Sequence, residues 1–243
     1  MKPLLLLHGA IGSQEQLAPL KHILSSHYIV HSIDFSGHGG KPFANDFSIE
    51  QFAQEVKDWL REQKLKKITL FGYSMGGYVA LYLAKHYPSL VEGVATLGTK
   101  LHWDEMVAGK ETAMLNPVKM QQKVPAFADQ LKNRHHPNDW QELVNKTSEM
   151  LHDMGANPPL HLFDFKEIKC PVLLVLGDRD QMVSLVETAT VYKQLPNGQL
   201  AILPATPHAI EQVDLDLLSA IFLKHLAAKE VVKKPKQLSK PKA

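Results

Sequence analysis

Cysteine occurs once in the 243 residues, at Cys170, so no internal disulfide can form and the composition suits a reducing compartment. No apolar run reaches the roughly 18 residues that a membrane-spanning helix needs. The opening run Leu4-Leu5-Leu6-Leu7 breaks at His8-Gly9, too early for the hydrophobic region of a signal peptide. It reads as a strand, and a cytoplasmic protein is the expectation. A basic surface is missing as well. Residues 229–243 hold six lysines and one glutamate, which leaves 21 basic against 24 acidic residues in the rest of the chain. A body of that sign offers no electrostatic footprint for nucleic acid. The lysine-rich stretch itself, with Pro235 and Pro241, reads as a solvated, disordered extension. No internal repeat is visible, and no metal-ligand set is convincing. His135-His136 reads as a pair of polar surface residues rather than as a metal site.

What remains is ordinary for a globular chain, 44% hydrophobic and 21% charged, and its length suits one α/β domain with an insertion. Apolar runs alternate with helical periodicity, the pattern of a parallel sheet with crossover helices. Strands are expected at Leu4–Leu7, Tyr28–Phe35, Ile68–Phe71, Val91–Leu97, Pro171–Leu176 and Gln199–Leu203. None alternates cleanly, as befits strands covered on both faces. Helix starts are marked by Ser13-x-x-Gln16, Ser48-x-x-Gln51 and Ser184-x-x-Glu187, each fitting a capping box. Ile49, Phe52, Ala53, Val56 and Leu60 recur at helical spacing and predict one buried face. The segment Tyr78–Tyr87 is apolar nearly all round and predicts the most buried helix.

The rhythm stops between residues 100 and 169. That region has no strand candidate, is interrupted by Pro117, Pro125, Pro137 and Pro158-Pro159, and holds five of the eight methionines and two of the three tryptophans. It reads as a helical insertion with its own core, and also as a lid over a pocket, because methionine-rich surfaces repack around varied apolar ligands. Trp103, Met106, Phe127 and Trp140 are its candidates for facing a substrate. The expected organisation is a core of residues 1–99 and 170–228, the insertion at 100–169, and the extension at 229–243.

Chemistry concentrates at Gly72-Tyr73-Ser74-Met75-Gly76. This is G-x-S-x-G, set between an expected strand and an expected helix, where a nucleophile must stand on a tight strand-to-helix turn. The glycines leave room for a serine in a strained conformation. The helix start turns backbone N–H groups toward the serine, ready for a developing anion. Because a serine hydroxyl is a weak nucleophile, the motif demands a histidine that takes its proton and returns it to the leaving group.

With these residues the chain resembles an α/β-hydrolase, over all but the insertion and the extension. His8-Gly9-Ala10-Ile11-Gly12-Ser13 resembles the family's H-G loop, and Asp34-Phe35-Ser36-Gly37-His38-Gly39 its D-x-x-G-H-G turn. Gly177-Asp178-Arg179-Asp180 resembles the acid loop, and Pro207-His208 the histidine loop. The resemblance implies a doubly wound, mostly parallel sheet of about six strands with a helical lid, and the order Ser, Asp, His for a triad of Ser74, Asp180 and His208. Of the 13 histidines, His208 alone follows a terminal strand at the sheet edge that carries Ser74. Its orienting acid is Asp180 by the family's G-x-x-D pattern, with Asp178 the competing residue. The oxyanion donors implied are the N–H groups of Met75 and of Ala10. Ile11 competes with Ala10 for that role and is also a candidate to line the pocket.

The expected activity is hydrolysis of an ester or thioester of a small, mostly apolar acyl group, with no cofactor and no metal. The expected partner is the small-molecule substrate alone, with no nucleic acid or membrane, for a monomer or homodimer. Carbon–carbon bond hydrolysis, acyl transfer and a receptor role on the same fold stay open, because fold does not fix function.

Overall fold

A computed structural model describes residues 1–226, so the expected extension at 229–243 lies outside the described residues. Six strands form one sheet: β1 (Lys2–Leu7), β2 (Tyr28–Ile33), β3 (Ile68–Tyr73), β4 (Val91–Leu97), β5 (Val172–Gly177) and β6 (Gly198–Leu203). All neighbours are parallel, in the order β2-β1-β3-β4-β5-β6. Every strand is found where the apolar runs predict it. β2 ends at Ile33, two residues early, because Phe35 already belongs to the turn that follows.

Between the strands lie α1 (Ala18–Leu24), α2 (Ile49–Glu62) and α3 (Met75–His86). The insertion after β4 supplies α4 (Glu105–Thr112), α5 (Pro117–Lys123), α6 (Pro125–His135) and α7 (Trp140–Ala156). The chain then adds α8 (Leu185–Gln194) after β5 and α9 (Leu215–Leu226) after β6. The alternation of strand side chains sorts the helices into layers. Leu5, Leu7, Leu70, Val94 and Leu174 pack with α2, α3 and Val191 of α8. Leu4, Leu6, Phe71, Ala95 and Leu173 pack with α1 and α9. As its composition predicts, α3 is the central helix, buried throughout except at Tyr82, Lys85 and His86.

The helix starts are less uniform than the three serine motifs suggest. At α8 the reciprocal box is complete. Ser184 Oγ accepts from Glu187 N–H at 3.1 Å, and Glu187 Oε2 accepts from Ser184 N–H at 3.2 Å. At α2, Ser48 Oγ accepts from Gln51 N–H at 3.1 Å, while the Gln51 amide turns to Glu55. Ser13 opens only a short 3₁₀ turn, Gln14–Leu17, before α1 begins.

The insertion has a small core of its own, built from Met120, Ala128, Leu131, Trp140 and Val144. It also joins the main core, since Met150, Leu151 and Met154 of α7 belong to the cluster around α3. No helix among the described residues is long and apolar enough to cross a membrane.

Candidate active site

β1 pairs with β2 on one side and β3 on the other, so the chain reverses direction of travel across the sheet beside β1. Loops leaving the carboxyl ends of strands part at such a reversal, which opens a crevice for ligands. Ser74 stands there, between β3 and α3, with φ 50° and ψ −117°. A side chain rarely adopts that backbone, and it persists only when the surroundings hold it. Here Ser74 N–H donates to Leu97 O at 2.8 Å, and the Thr99 hydroxyl donates to Ser74 O at 3.0 Å. A β-carbon on Gly72 would strike the Gly76 carbonyl, and one on Gly76 would strike the carbonyls of Leu7 and His8. The two glycines of the motif are therefore required by close backbone approach.

His208 follows β6 and comes back over the sheet. Its Nδ1–H donates to Asp180 Oδ2 at 2.7 Å. Asp180 Oδ1 accepts from the N–H groups of Met182 and Val183, at 2.8 and 2.9 Å. Burial pushes the Asp180 pKa up, but the His208 hydrogen bond and the two N–H donors outweigh it and hold the carboxyl below its ordinary value. The neighbouring Asp178 is turned away. Its Oδ1 accepts from Thr206 N–H at 3.1 Å and lies 3.7 Å from Arg179 Nε. It thus braces the loop two residues before His208.

Ser74 and His208 line one cavity of about 70 Å³, together with Ala10, Met75, Ile49 and Tyr78. The insertion and acid loop close it with Trp103, Glu111, Leu151, Met154, Met182 and Val183. Lys100 is at its wall too, 3.3 Å from Glu111 and donating to Met182 O at 2.6 Å. Of the insertion residues expected to face a substrate, only Trp103 reaches this cavity. Met106 is 80% exposed and Phe127 is exposed. Trp140 fills the insertion's own core, and Ile11 packs against that core instead of lining the cavity. Met106 and Phe127 miss the cavity because α4 and α6 turn those positions to solvent. The weak periodicity of both helices conceals this.

Sequence reasoning also missed several supports. The Tyr73 hydroxyl donates to His208 O at 3.1 Å, and burial raises its pKa. It occupies the second position of G-x-S-x-G, and nothing in the motif announces the contact. Gly98, with φ 57°, lies against Asp180 and His208, where a β-carbon would crowd both. His135 is a correction. It is fully buried rather than a surface residue, with Nδ1 accepting from Gly39 N–H and Nε2 donating to Ile11 O, both at 3.0 Å. His8 and His38 brace their glycine turns. His8 Nδ1 bonds Gly9 O at 2.8 Å, His8 Nε2 accepts from Phe35 N–H at 3.2 Å, and His38 Nδ1 bonds Ser36 O at 3.0 Å. Burial pushes both His8 and His135 down to about 4, so neither is charged near neutral pH. Among the described residues, no cluster of three or more His, Cys, Asp or Glu side chains could hold a metal ion.

The strand order, the serine turn and the Asp180–His208 pair can be set beside known proteins. A family model described as alpha/beta hydrolase fold matches residues 2–154. The serine hydrolase BPHL of Homo sapiens is 25% identical over 211 residues, covering 84% of this chain and 72% of that protein. Ethanol acetyltransferase 1 of Cyberlindnera jadinii is 31% identical over 98 residues, 40% of this chain, and the chain spans only 29% of its length. Among solved structures, the enol-lactonase of Burkholderia xenovorans LB400 has a TM-score of 0.73 at 17% identity, covering 93% of this chain and 92% of that one.

Proposed function

The chain belongs to the alpha/beta hydrolase fold family, and from that premise we propose that it is a serine hydrolase of small-molecule esters or thioesters that acts through an acyl-enzyme on Ser74. One observation carries this reading: the hydrogen-bonded Asp180–His208 pair meets a strained Ser74 at a single, mostly apolar cavity. His208 gives its Nδ1 proton to the bond with Asp180, so its Nε2 lone pair is the base. Ser74 Oγ attacks the substrate carbonyl as its proton passes to Nε2. The tetrahedral oxyanion collapses, the ester C–O or thioester C–S bond breaks, and His208 returns the proton to the leaving alcohol or thiol. Water then loses a proton to His208 and cleaves the acyl-enzyme, releasing the acid and restoring Ser74. Asp180 orients the imidazole and stabilises imidazolium throughout.

The oxyanion would be met by the N–H of Met75, the first residue of α3, and by that of Ala10, which shares the cavity with Ser74. Each such donor contributes on the order of 3 kcal/mol to the transition state. The insertion acts as a lid in this reading, with Trp103, Leu151 and Met154 roofing the acyl group. At about 70 Å³ the cavity is small, which suits a short acyl chain.

The partial likeness to an acetyltransferase supports acyl transfer as a second outcome of the same acyl-enzyme, with an alcohol replacing water. Labelling with a fluorophosphonate, run beside turnover of p-nitrophenyl esters from acetate upward, tests the assignment. Ser74→Ala should abolish both while leaving the melting temperature nearly unchanged. Labelling that survives in Ser74→Ala places the nucleophile elsewhere and ends this reading. Ethyl ester formed when ethanol is added would identify the transferase outcome.

A further inference from the structure

The loop after β1 holds an unusual residue for its shape. Gly9–Gly12 is a tight turn closed by Gly12 N–H donating to Gly9 O at 3.1 Å, and its third residue, Ile11, has φ 48°. A β-branched side chain crowds the backbone in that region, where turns ordinarily carry glycine or asparagine. Such a conformation persists only if something outside the turn over-determines it.

The hold comes from the insertion. His135, the last residue of α6, donates from Nε2 to the Ile11 carbonyl at 3.0 Å, and Arg134 donates from Nη1 to the same oxygen at 3.3 Å. The second His135 nitrogen accepts from Gly39 N–H, which fixes the ring's tautomer and its orientation. The Ile11 side chain packs on the insertion's own cluster of Met120, Leu131 and Trp140. Carbonyl and side chain of one strained residue are therefore gripped by the insertion. Ala10, the residue before it in the turn, lines the cavity beside Ser74.

We propose that His135 is a positioning residue of the active site: through the Ile11 carbonyl it holds the Gly9–Gly12 turn in the strained form that aims a backbone N–H at the oxyanion. The inference rests on the serine-hydrolase reading and adds to it a task for the insertion, which sets the oxyanion geometry as well as walling the cavity. A donor displaced by about 1 Å costs on the order of 10²-fold in rate.

A double-mutant cycle tests this. His135→Phe keeps most of the ring volume and removes both hydrogen bonds. It should lower kcat for a p-nitrophenyl ester by about 10²-fold with KM nearly unchanged. His135→Gln retains a donor for Ile11 O and should recover part of that loss. Glycine tolerates positive φ at no steric cost, so in an Ile11→Gly background the turn no longer needs its clamp. There His135→Phe should cost at least about tenfold less than in the native background. Full kcat in His135→Phe, or an equal loss in both backgrounds, overturns the proposal. If His135→Phe is unfolded at the assay temperature by circular dichroism, Arg134→Ala, which removes the other donor, carries the same cycle, and full kcat or an equal loss in both backgrounds overturns the proposal there too. A native protein that neither turns over esters nor labels at Ser74 overturns the serine-hydrolase reading, and the clamp's role with it.

Discussion

The serine turn and the helical insertion build the same cavity by opposite means. The turn is small residues at close range: Gly72 and Gly76 admit backbone where no side chain fits, and the ends of β3 and β4 fix Ser74. Few residue types can satisfy it, so its sequence is nearly dictated. The insertion instead contributes Trp103, Leu151 and Met154 from separate segments, backed by apolar packing that many combinations could supply. Backbone crowding writes a motif into the sequence, whereas side-chain packing writes only a composition.

The sharpest way to break that contrast is at the two aspartates of the acid loop. Asp180→Asn should lower kcat by up to about 10⁴-fold, since the amide cannot hold His208 in the working tautomer. Asp178→Asn should leave most activity, because Asp178 touches Thr206 N–H and Arg179 rather than the imidazole. Steady-state kinetics of the pair decides it. The reverse pattern would move the acid by two residues.

Next come the insertion's tryptophans, which separate packing from recognition. Trp140→Ala removes a buried ring from the insertion core and should cost about 3–5 kcal/mol of stability, with activity ratios between acyl chain lengths unchanged. Trp103→Ala enlarges the cavity and should shift kcat/KM toward longer acyl chains by about 1–3 kcal/mol. Urea melts and a p-nitrophenyl ester series read the two effects. A selectivity shift in Trp140→Ala instead would mean that the insertion core faces substrate after all.

The last effect is in pH. Burial keeps His8 and His135 neutral in the fold, down to about 4, while an unfolded chain takes these protons near 6.5. Their contribution is complete above about pH 6.5 and is lost as pH falls toward 4, because the unfolded state then binds more protons. Between pH 7 and pH 5 stability should drop by about 2 kcal/mol for each. Urea midpoints at the two pH values measure this, and His135→Phe should flatten the slope by its share. An unchanged slope in that variant would mean that His135 titrates normally in the fold.

The limits of the sequence follow the same division. The Val91–Leu97 run marks β4 to the residue even though Glu92 and Thr96 interrupt it, because the strand is buried on both faces along nearly all its length. Gly-x-Ser-x-Gly marks the serine turn for the steric reason just given. His135 is illegible for a different reason. Its neighbours on the chain are polar, Arg134 and His136, and its burial depends on Ile11 and Gly39, more than 90 residues away. Met106 and Phe127 mislead because short helices with little apolar periodicity do not reveal which side faces inward.

The sequence alone determined the sheet, its strands and the loop bearing the serine, since local period and backbone sterics are written residue by residue. Tertiary structure alone decided which tryptophan reaches the cavity and what holds Ile11 at a positive φ. Those are contacts between loops far apart in the chain, fixed by how parallel strands bring their carboxyl ends to one edge.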